Sequence, residues 1–160
     1  MSADVTPAVS ARLASAADAA LLWRWRNDSD TRLNSFNQEP IPWPTHQTWL
    51  ERRLADPNVR LYIVEVPGAV EVAHVRFERC GDDAAEVHVM VAPEQRSRGY
   101  GSAALRCTVP LAMAALSVGR IEALVKPDNA ASVHAFERSG FQPSAASGDD
   151  GVRRFEYVQQ

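Results

Sequence analysis

The chain has 160 residues, of which 46% are hydrophobic, and a formal net charge of −3. These values are typical of one globular domain with a substantial core and argue against nucleic acid as a general partner. No apolar run reaches the roughly 18–20 residues of a membrane span, and residues 1–20 lack the features of a secretion signal. We therefore expect a cytoplasmic protein with no membrane partner.

The cysteines and histidines show neither a disulfide framework nor the spacing of a zinc site. We expect reduced thiols and no metal. The residues concerned are Cys80, Cys107, His46, His74, His88 and His134.

The N-terminal third is predicted to hold one strand and two helices. Residues 1–8 are small and polar and are expected to be flexible, so the predicted single domain covers residues 9–160. Residues 9–13 predict a strand, and residues 17–26 predict a helix with an apolar face of Leu21, Leu22 and Trp25. Residues 27–43 are polar and rich in turn formers. Thr45 is then expected to cap a second helix that ends at residue 54, with an inward face of Trp49, Leu50 and Leu54.

The rest of the chain alternates strands with one long helix. Residues 60–66, 70–79 and 85–91 predict an antiparallel meander. A helix follows Gly99 and runs to about residue 118, and Pro110 is expected to kink or split it. Residues 120–125 predict a strand parallel to 85–91, because a crossover helix joins the two. A loop at 142–151 and a last strand at 152–159 complete the predicted α+β fold.

The most informative segment, residues 89–103, runs from an apolar strand through a glycine turn directly into a helix. It carries the pattern Arg96-x-x-Gly99-x-Gly101. Glycines allow a ligand to approach the main chain, and free N–H groups at a helix start with nearby arginines favour an anion such as phosphate. The pattern differs from a dinucleotide fingerprint and from a P-loop. By itself it is also compatible with a plain turn between strand and helix.

A second motif occupies residues 126–141, after the predicted strand at 120–125. A helix is expected to begin near Asn129 and to end at Gly140. Their spacing of three or four residues places Asn129, Ser132, Phe136 and Gly140 on one helical face.

With both motifs in this order and at this separation, the chain resembles the GNAT superfamily of N-acetyltransferases over roughly residues 9–158. The resemblance implies a mixed, mostly antiparallel sheet with one parallel step at the cofactor site, flanked by helices. It also implies acetyl-CoA as co-substrate, no metal, and direct attack by a primary amine of a small molecule. Homodimers are common among such proteins, although no residue here identifies an interface.

The resemblance also assigns the acetyl-CoA contacts. The main chain of the strand at 90–91 would pair with the pantetheine arm and stabilise the oxyanion, and the amides of the glycine loop would hold the pyrophosphate. The helix after Asn129 would contribute the remaining contacts. The predicted residues are Met90, Val91, Arg96, Ser97, Arg98, Gly99, Tyr100, Gly101, Ser102, Asn129, Ser132 and Phe136.

Two residues on one strand face are candidates for the general base. Glu86 and His88 lie opposite the valines that suit the core, so either side chain can face the cleft. Solvated strand residues are the plain alternative; Glu86 is favoured narrowly because the family often places a carboxylate there. Phe136 stands where the family usually has a tyrosine that protonates the thiolate, which leaves the general acid unassigned.

The N-terminal third is expected to select the acceptor, because the acetyl-CoA motifs lie after residue 88. Its residues resemble the GNAT branch that acetylates nucleotide-linked amino sugars, as in pseudaminic acid pathways. Arginines would meet a diphosphate, amides would bond hydroxyls and aromatic rings would stack on a base or sugar. A helix hairpin that uses the same side chains for packing is the alternative. The candidates are Arg26, Asn27, Arg32, Phe36, Asn37 and His46, with Trp43 and Trp49 as further stacking surfaces.

Two other functions fit the sequence. An acidic cleft would favour acetylation of a protein or peptide amine. Phe136 is the best argument for a third alternative, an acyl-CoA-binding module without catalysis.

Overall fold

A seven-stranded β-sheet forms the centre of this computed structural model, which describes residues 7–144 and 151–159. Its strands are β1 (Ser10–Leu13), β2 (Val59–Val66), β3 (Val70–Arg79), β4 (Ala84–Val91), β5 (Arg120–Val125), β6 (Gln142–Pro143) and β7 (Arg153–Val158). They lie in the order β1-β2-β3-β4-β5-β7-β6. Neighbouring strands are antiparallel except β4 and β5, which are parallel. The expected fold class is confirmed.

Helices cover both faces of the sheet. They are α1 (Ala19–Asn27), α2 (Ser29–Leu33), α3 (Trp43–Ala55), α4 (Tyr100–Leu116) and α5 (Ala130–Arg138). On one face the buried strand residues, such as Phe77, Val87 and Phe155, form the main core with α4 and α5. On the other face a smaller cluster joins Trp25 of α1 and Leu50 of α3 to β2. Each fully buried large side chain contributes roughly 1.5–3 kcal/mol.

The parallel pair creates the feature that positions the site. β4 and β5 pair only through Ala84–Glu86 and Arg120–Glu122. Beyond these residues β4 continues beside β3 to Val91, and β5 continues beside β7 to Val125. In the part of the chain that is described, the facing edges of residues 87–91 and 123–125 have no strand partner. We call the space between them the β4–β5 opening.

The predicted meander, crossover helix and parallel strand are confirmed to within one or two residues, but several local predictions are wrong. The second helix begins at Trp43, two residues before Thr45, so Thr45 is not its cap. Pro44 fits the first turn because the N–H that proline lacks would have no helical partner there. Leu54 is 37% exposed rather than inward. Pro110 does not split α4, which continues through it.

Two predicted irregular segments also contain regular structure. Residues 27–43 include α2, which the turn-forming composition did not indicate. Gln142–Pro143 of the predicted loop pairs with β7, while residues 145–150 lie outside the described residues. Residues 1–6 of the predicted flexible N-terminus lie outside them as well.

Candidate active site

A row of free main-chain donors lies between β4 and α4. Within residues 7–144 and 151–159, no acceptor is bonded to the amides from Arg96 to Ser102. The bonded amides on either side are Gln95 N–H to the Ala92 carbonyl and Ala103 N–H to the Gly99 carbonyl. Successive unpaired N–H groups at the start of a long helix form an anion-binding arrangement.

The glycines of this loop have different structural roles. Gly99 has φ of +82°, in the left-handed region that a residue with a side chain adopts at a cost. A Cβ on Gly101 would instead lie 3.2 Å from Cβ of Ala135 and 3.6 Å from Cγ2 of Val91. Gly101 therefore allows α4 to approach α5 and β4 closely, rather than only making room for a ligand.

The loop arginines are engaged with protein groups. The Arg96 guanidinium donates to Asp28 at 2.8 Å and to Thr31 Oγ1 at 2.7 Å, on the α1–α2 side. Arg98 donates to Gln95 Oε1 at 3.3 Å and is exposed. The charge predicted for phosphate at position 96 is thus paired with carboxylate.

The other predicted loop residues are Ser97, Tyr100 and Ser102. Tyr100 is partly buried and packs against the main core. Ser102 is buried, and its hydroxyl donates to the Gly99 carbonyl at 3.2 Å. Ser97 is exposed and has φ of +64°. The Ser97 and Gly99 conformations together turn the chain from β4 into α4.

The open edge of β4 presents alternate residues to the β4–β5 opening. Ala92 N–H bonds the Val72 carbonyl of β3. Because main-chain groups alternate in direction along an antiparallel strand, Met90 also points its N–H toward β3, whereas Val89 and Val91 point theirs into the opening. Of the two predicted pantetheine contacts, Val91 is placed for main-chain pairing and Met90 is not.

Glu86 and His88 form a hydrogen-bonded pair on the strand face opposite the core valines. His88 Nε2 lies 3.0 Å from Glu86 Oε1, and both side chains are about one-third exposed, at 38% and 30%. The hydrogen bond from His88 is the main reason that the pKa of Glu86 lies below its usual value. A Glu86 carboxylate with a lowered pKa is a poorer base, while His88 keeps Nδ1 unpartnered among the described residues.

The second motif places its residues at the start and the buried face of α5. Asn129 caps the helix, since its side-chain oxygen accepts from Ser132 N–H at 3.2 Å. Ser132 is partly exposed in the first turn. Phe136 is only 3% exposed and packs against Phe141 and Phe155, with ring centroids 5.0 and 6.0 Å away. A direct cofactor contact by its ring is not supported, because the ring belongs to the core.

Two predicted acceptor ligands are used by the fold itself. Asn27 donates to the Ile41 carbonyl at 2.9 Å and accepts from Ile41 N–H at 2.8 Å, which ties α1 to the segment before α3. His46 is 3% exposed, and its Nε2 lies 3.0 Å from the Ala19 carbonyl. Burial lowers the pKa of His46 despite that carbonyl. The structure favours the packing alternative for both side chains.

The remaining acceptor candidates are less fully engaged. Arg26 donates through Nη2 to the Asn37 carbonyl at 2.8 Å, whereas its Nη1 and the Nε of Arg32 are buried without a partner among the described residues. Burial, and then the charge of Arg32, lower the pKa of Arg26. Phe36 is 61% exposed, and Asn37 is also exposed.

A groove of about 420 Å³ lies between α1 and the turn after β4. Sequence analysis did not identify it, because Pro93 and Glu94 are remote in sequence from α1. Its lining residues are Trp23, Arg24, Trp25, Asn27, Asp28, Pro93 and Glu94.

Over the described ranges, no group of histidine, cysteine and carboxylate side chains could hold a metal, and no helix there is long and apolar enough to cross a membrane.

Comparison with known proteins identifies the fold and the family of this chain. The chain is 26% identical over 126 residues to the L-amino acid N-acetyltransferase AaaT of Escherichia coli (strain K12), covering 76% of this chain and 77% of that protein. The solved structure of AAC(6')-Ib with paromomycin and acetyl-CoA superposes with a TM-score of 0.81 at 20% identity, covering 95% of this chain and 94% of the other. Spermidine N-acetyltransferase from Vibrio cholerae, with CoA and spermine, gives 0.82 at 18% identity, covering 94% and 95%. The family model for the acetyltransferase (GNAT) domain matches residues 10–142, and the chain therefore belongs to the GNAT acetyltransferase family.

Proposed function

We propose that this protein transfers the acetyl group of acetyl-CoA to a primary amine of a small molecule by direct attack. The observation that carries this proposal is the run of amides from Arg96 to Ser102, which have no acceptor among the described residues and lie beside the open edge of β4. Similar proteins also support it: one is an L-amino acid N-acetyltransferase and another is a spermidine N-acetyltransferase. A third, AAC(6')-Ib, was solved with acetyl-CoA.

The main chain supplies most of the proposed donor site. The amides from Arg96 to Ser102 would hold the two phosphates, since a helix start favours anions. Val89 and Val91 would pair with the pantetheine arm as an added strand does. One of their N–H groups would then face the thioester oxygen, where a donor stabilises the negative charge that develops in the transition state. Ser132 and Asn129, in the first turn of α5, would border the arm.

We assign the base role to His88, with Glu86 as its orienting partner. The bond from Nε2 to Glu86 leaves Nδ1 to accept a proton. The amine nitrogen attacks the thioester carbon, the C–S bond breaks, and His88 takes the proton from the nitrogen. CoA leaves as a thiolate. Because a thiol has a pKa of only about 8.5, departure near neutral pH does not require an acid at Phe136.

We propose, more specifically, that the acceptor is an amino sugar carried by a nucleotide. The guanidinium groups of Arg26 and Arg32 support this acceptor, because each has a nitrogen without a partner among the described residues and guanidinium groups bind phosphates well. Exposed Phe36 and Asn37 would supply stacking and hydrogen bonds on the same segment. Asn27 and His46 are left out of this proposal because the fold uses their polar groups.

Thiol release from acetyl-CoA tests the proposal against a panel of amines: L-amino acids, spermidine, an aminoglycoside, a uridine-linked amino sugar and a lysine-containing peptide. We expect release with a small amine, and a loss of roughly 10²–10⁴-fold in kcat for His88→Ala. His134→Ala is the matched control, because His134 is exposed and lies on the surface of α5. Acetyl-CoA binding without release from any amine would favour the non-catalytic module. Release with the peptide alone would favour a protein acetyltransferase.

The cytoplasmic location, the single domain over residues 9–160 and the homodimer stay predictions from the sequence. Size-exclusion chromatography with light scattering measures the assembly directly.

A further inference from the structure

Arg96 and Lys126 meet the same short helix from the two sides of the β4–β5 opening. Arg96 follows β4 in the chain, and Lys126 is the residue directly after β5. The segment they contact is α2 with its caps, residues 28–34, which we call the α2 segment. A segment tied to both sides of the opening lies across it.

The Arg96 contact is the stronger of the two ties. Its Nη2 donates to Asp28 Oδ2 at 2.8 Å and to Thr31 Oγ1 at 2.7 Å, and its Nη1 lies 3.4 Å from Asp30 Oδ2. Asp28 also caps α2, accepting from Thr31 N–H at 3.1 Å. Burial alone would raise the pKa of Asp28, but the hydrogen bonds from Arg96 and Thr31 hold it below its usual value. Such charge-assisted bonds are roughly twice as strong as neutral ones.

The Lys126 contact holds the other end of the segment. Its Nζ donates to the Leu33 carbonyl at 3.0 Å. This carbonyl lies in the last turn of α2, where a cation is favourable because the helix leaves its final carbonyls unpaired. Arg96 thus binds side chains of the first turn, including the Asp28 cap, and Lys126 binds a carbonyl of the last turn. That carbonyl also accepts from Gln38 Nε2 at 3.3 Å.

We infer that Arg96 and Lys126 are positioning residues that hold the α2 segment across the β4–β5 opening. Arg96 acts through this segment on the acceptor and is not a side-chain ligand of the acetyl-CoA phosphates. The inference rests on the proposed function, in which the N-terminal third of the chain, including α2, selects the acceptor. The main-chain amides of the loop still hold the phosphates, so the roles of the main chain and the side chain at residue 96 are separate.

Two measurements on the same variants test the inference without a known acceptor. Hydrogen exchange of residues 28–34 reports the tie, and calorimetric titration with acetyl-CoA reports phosphate binding. For Arg96→Gln we expect exchange at least about tenfold faster and an acetyl-CoA Kd within about twofold of the native value. Arg98→Gln removes the same charge from the same loop and should leave exchange of residues 28–34 unchanged. Lys126→Gln should loosen the C-terminal end of the segment by a smaller factor.

Asp28→Asn separates the charge from the cap, because asparagine caps a helix as well as aspartate does. It should reproduce the exchange of Arg96→Gln, and the double variant should be no faster than the faster single variant. Once an amine is identified, both variants should raise its KM and leave kcat nearly unchanged.

Other results would overturn the inference. A tenfold weaker acetyl-CoA Kd for Arg96→Gln with native exchange would make Arg96 a phosphate ligand. Loss of affinity together with faster exchange, where Asp28→Asn changes exchange alone, would give Arg96 both roles and also contradict the inference. Native behaviour in both measurements would remove the tie. Failure of the native protein to bind acetyl-CoA would instead reject the proposed function, and the exchange measurement would still decide whether the tie exists.

Discussion

Two regions of the molecule use their polar groups in opposite ways: the loop between β4 and α4, which is the proposed donor side, and the helices α1 to α3, which form the proposed acceptor side. On the donor side, the amides from Arg96 to Ser102 have no acceptor in the part of the chain that is described. On the acceptor side, Asn27 and His46 spend their polar groups on the main chain of neighbouring elements. The comparison supports the proposal that the main chain recognises the donor, whereas the N-terminal helices use these polar side chains for structural contacts.

The donor side is the more sensitive to a change in backbone conformation. Gly99→Val places a β-branched residue at φ of +82°, where the strain is about 1–3 kcal/mol. If the loop relaxes to relieve this strain, the amides lose their common direction. We expect acetyl-CoA binding to weaken at least about tenfold, measured by calorimetry.

Gly68→Val is the matched control for Gly99→Val. Gly68 has φ of +92° in the turn between β2 and β3, and a Cβ added there would have no neighbouring atom within 4 Å. The Gly68 variant should lose similar stability and keep its affinity for acetyl-CoA. Equal affinity losses in the two variants would mean that the loop conformation has no special role in binding.

The acceptor side should respond first in stability. Asn27→Ala removes the donor and the acceptor that bond Ile41 at 2.9 and 2.8 Å. We expect a loss of about 1–2 kcal/mol in the free energy of unfolding, measured by urea denaturation, because Ile41 N–H loses its partner. The Ile41 carbonyl still accepts from Trp23 Nε1 at 2.7 Å. Asn34→Ala, at an exposed position, is the control. Native stability combined with a raised acceptor KM would show that Asn27 binds a ligand instead.

Sequence predicts the donor side better because its signals are conformational. A glycine at a strand-to-helix junction indicates a backbone conformation that other residues rarely adopt, and so Gly99 can be identified without knowing any tertiary contact. The same holds for the strands, whose alternation between Val87 and His88 indicates which face is buried. Residue type and spacing are enough for such features.

The acceptor side depends on tertiary contacts that spacing does not contain. The sequence shows Asn27 and Ile41 fourteen positions apart, and nothing in either residue says that they bond each other. Likewise, the sequence places Arg96 within the glycine motif and so predicts that it contacts phosphate. Its actual partner, Asp28, lies in a remote segment that the motif does not include. A polar side chain that can bond a ligand can equally bond another part of the protein, and only the fold distinguishes the two cases.

Acid should lower the stability of the molecule, because a buried histidine packs against α1. His74 stacks against Trp25, with ring centroids 6.5 Å apart, and burial lowers its pKa to about 3. The unfolded chain takes up a proton below about pH 6.5 and the folded chain does not, so stability is complete above that pH. Between about pH 6 and 3 the free energy of unfolding should fall by up to about 1.4 kcal/mol per pH unit.

His74→Phe should flatten that slope in urea denaturation at pH 7 and pH 5. The Nδ1 atom of His74 has no partner among the described residues, so an apolar ring leaves no neighbour unsatisfied. His134→Phe, at an exposed position, should keep the native slope. An unchanged slope in His74→Phe would assign acid sensitivity to other groups.

The smallest effect is expected at Phe136, which belongs to the main core. Phe136→Tyr restores the hydroxyl of the family pattern, but the ring is 3% exposed and packs against Phe141 and Phe155. A hydroxyl buried there without a partner should cost about 1 kcal/mol of stability and leave kcat within about twofold. Phe155→Tyr, also buried at 1% exposure, measures the same cost at a position to which the family pattern gives no acid role. A several-fold rise in kcat for Phe136→Tyr, without the stability loss of Phe155→Tyr, would show that position 136 faces the thioester, and the division between core and opening would then have to be redrawn at α5.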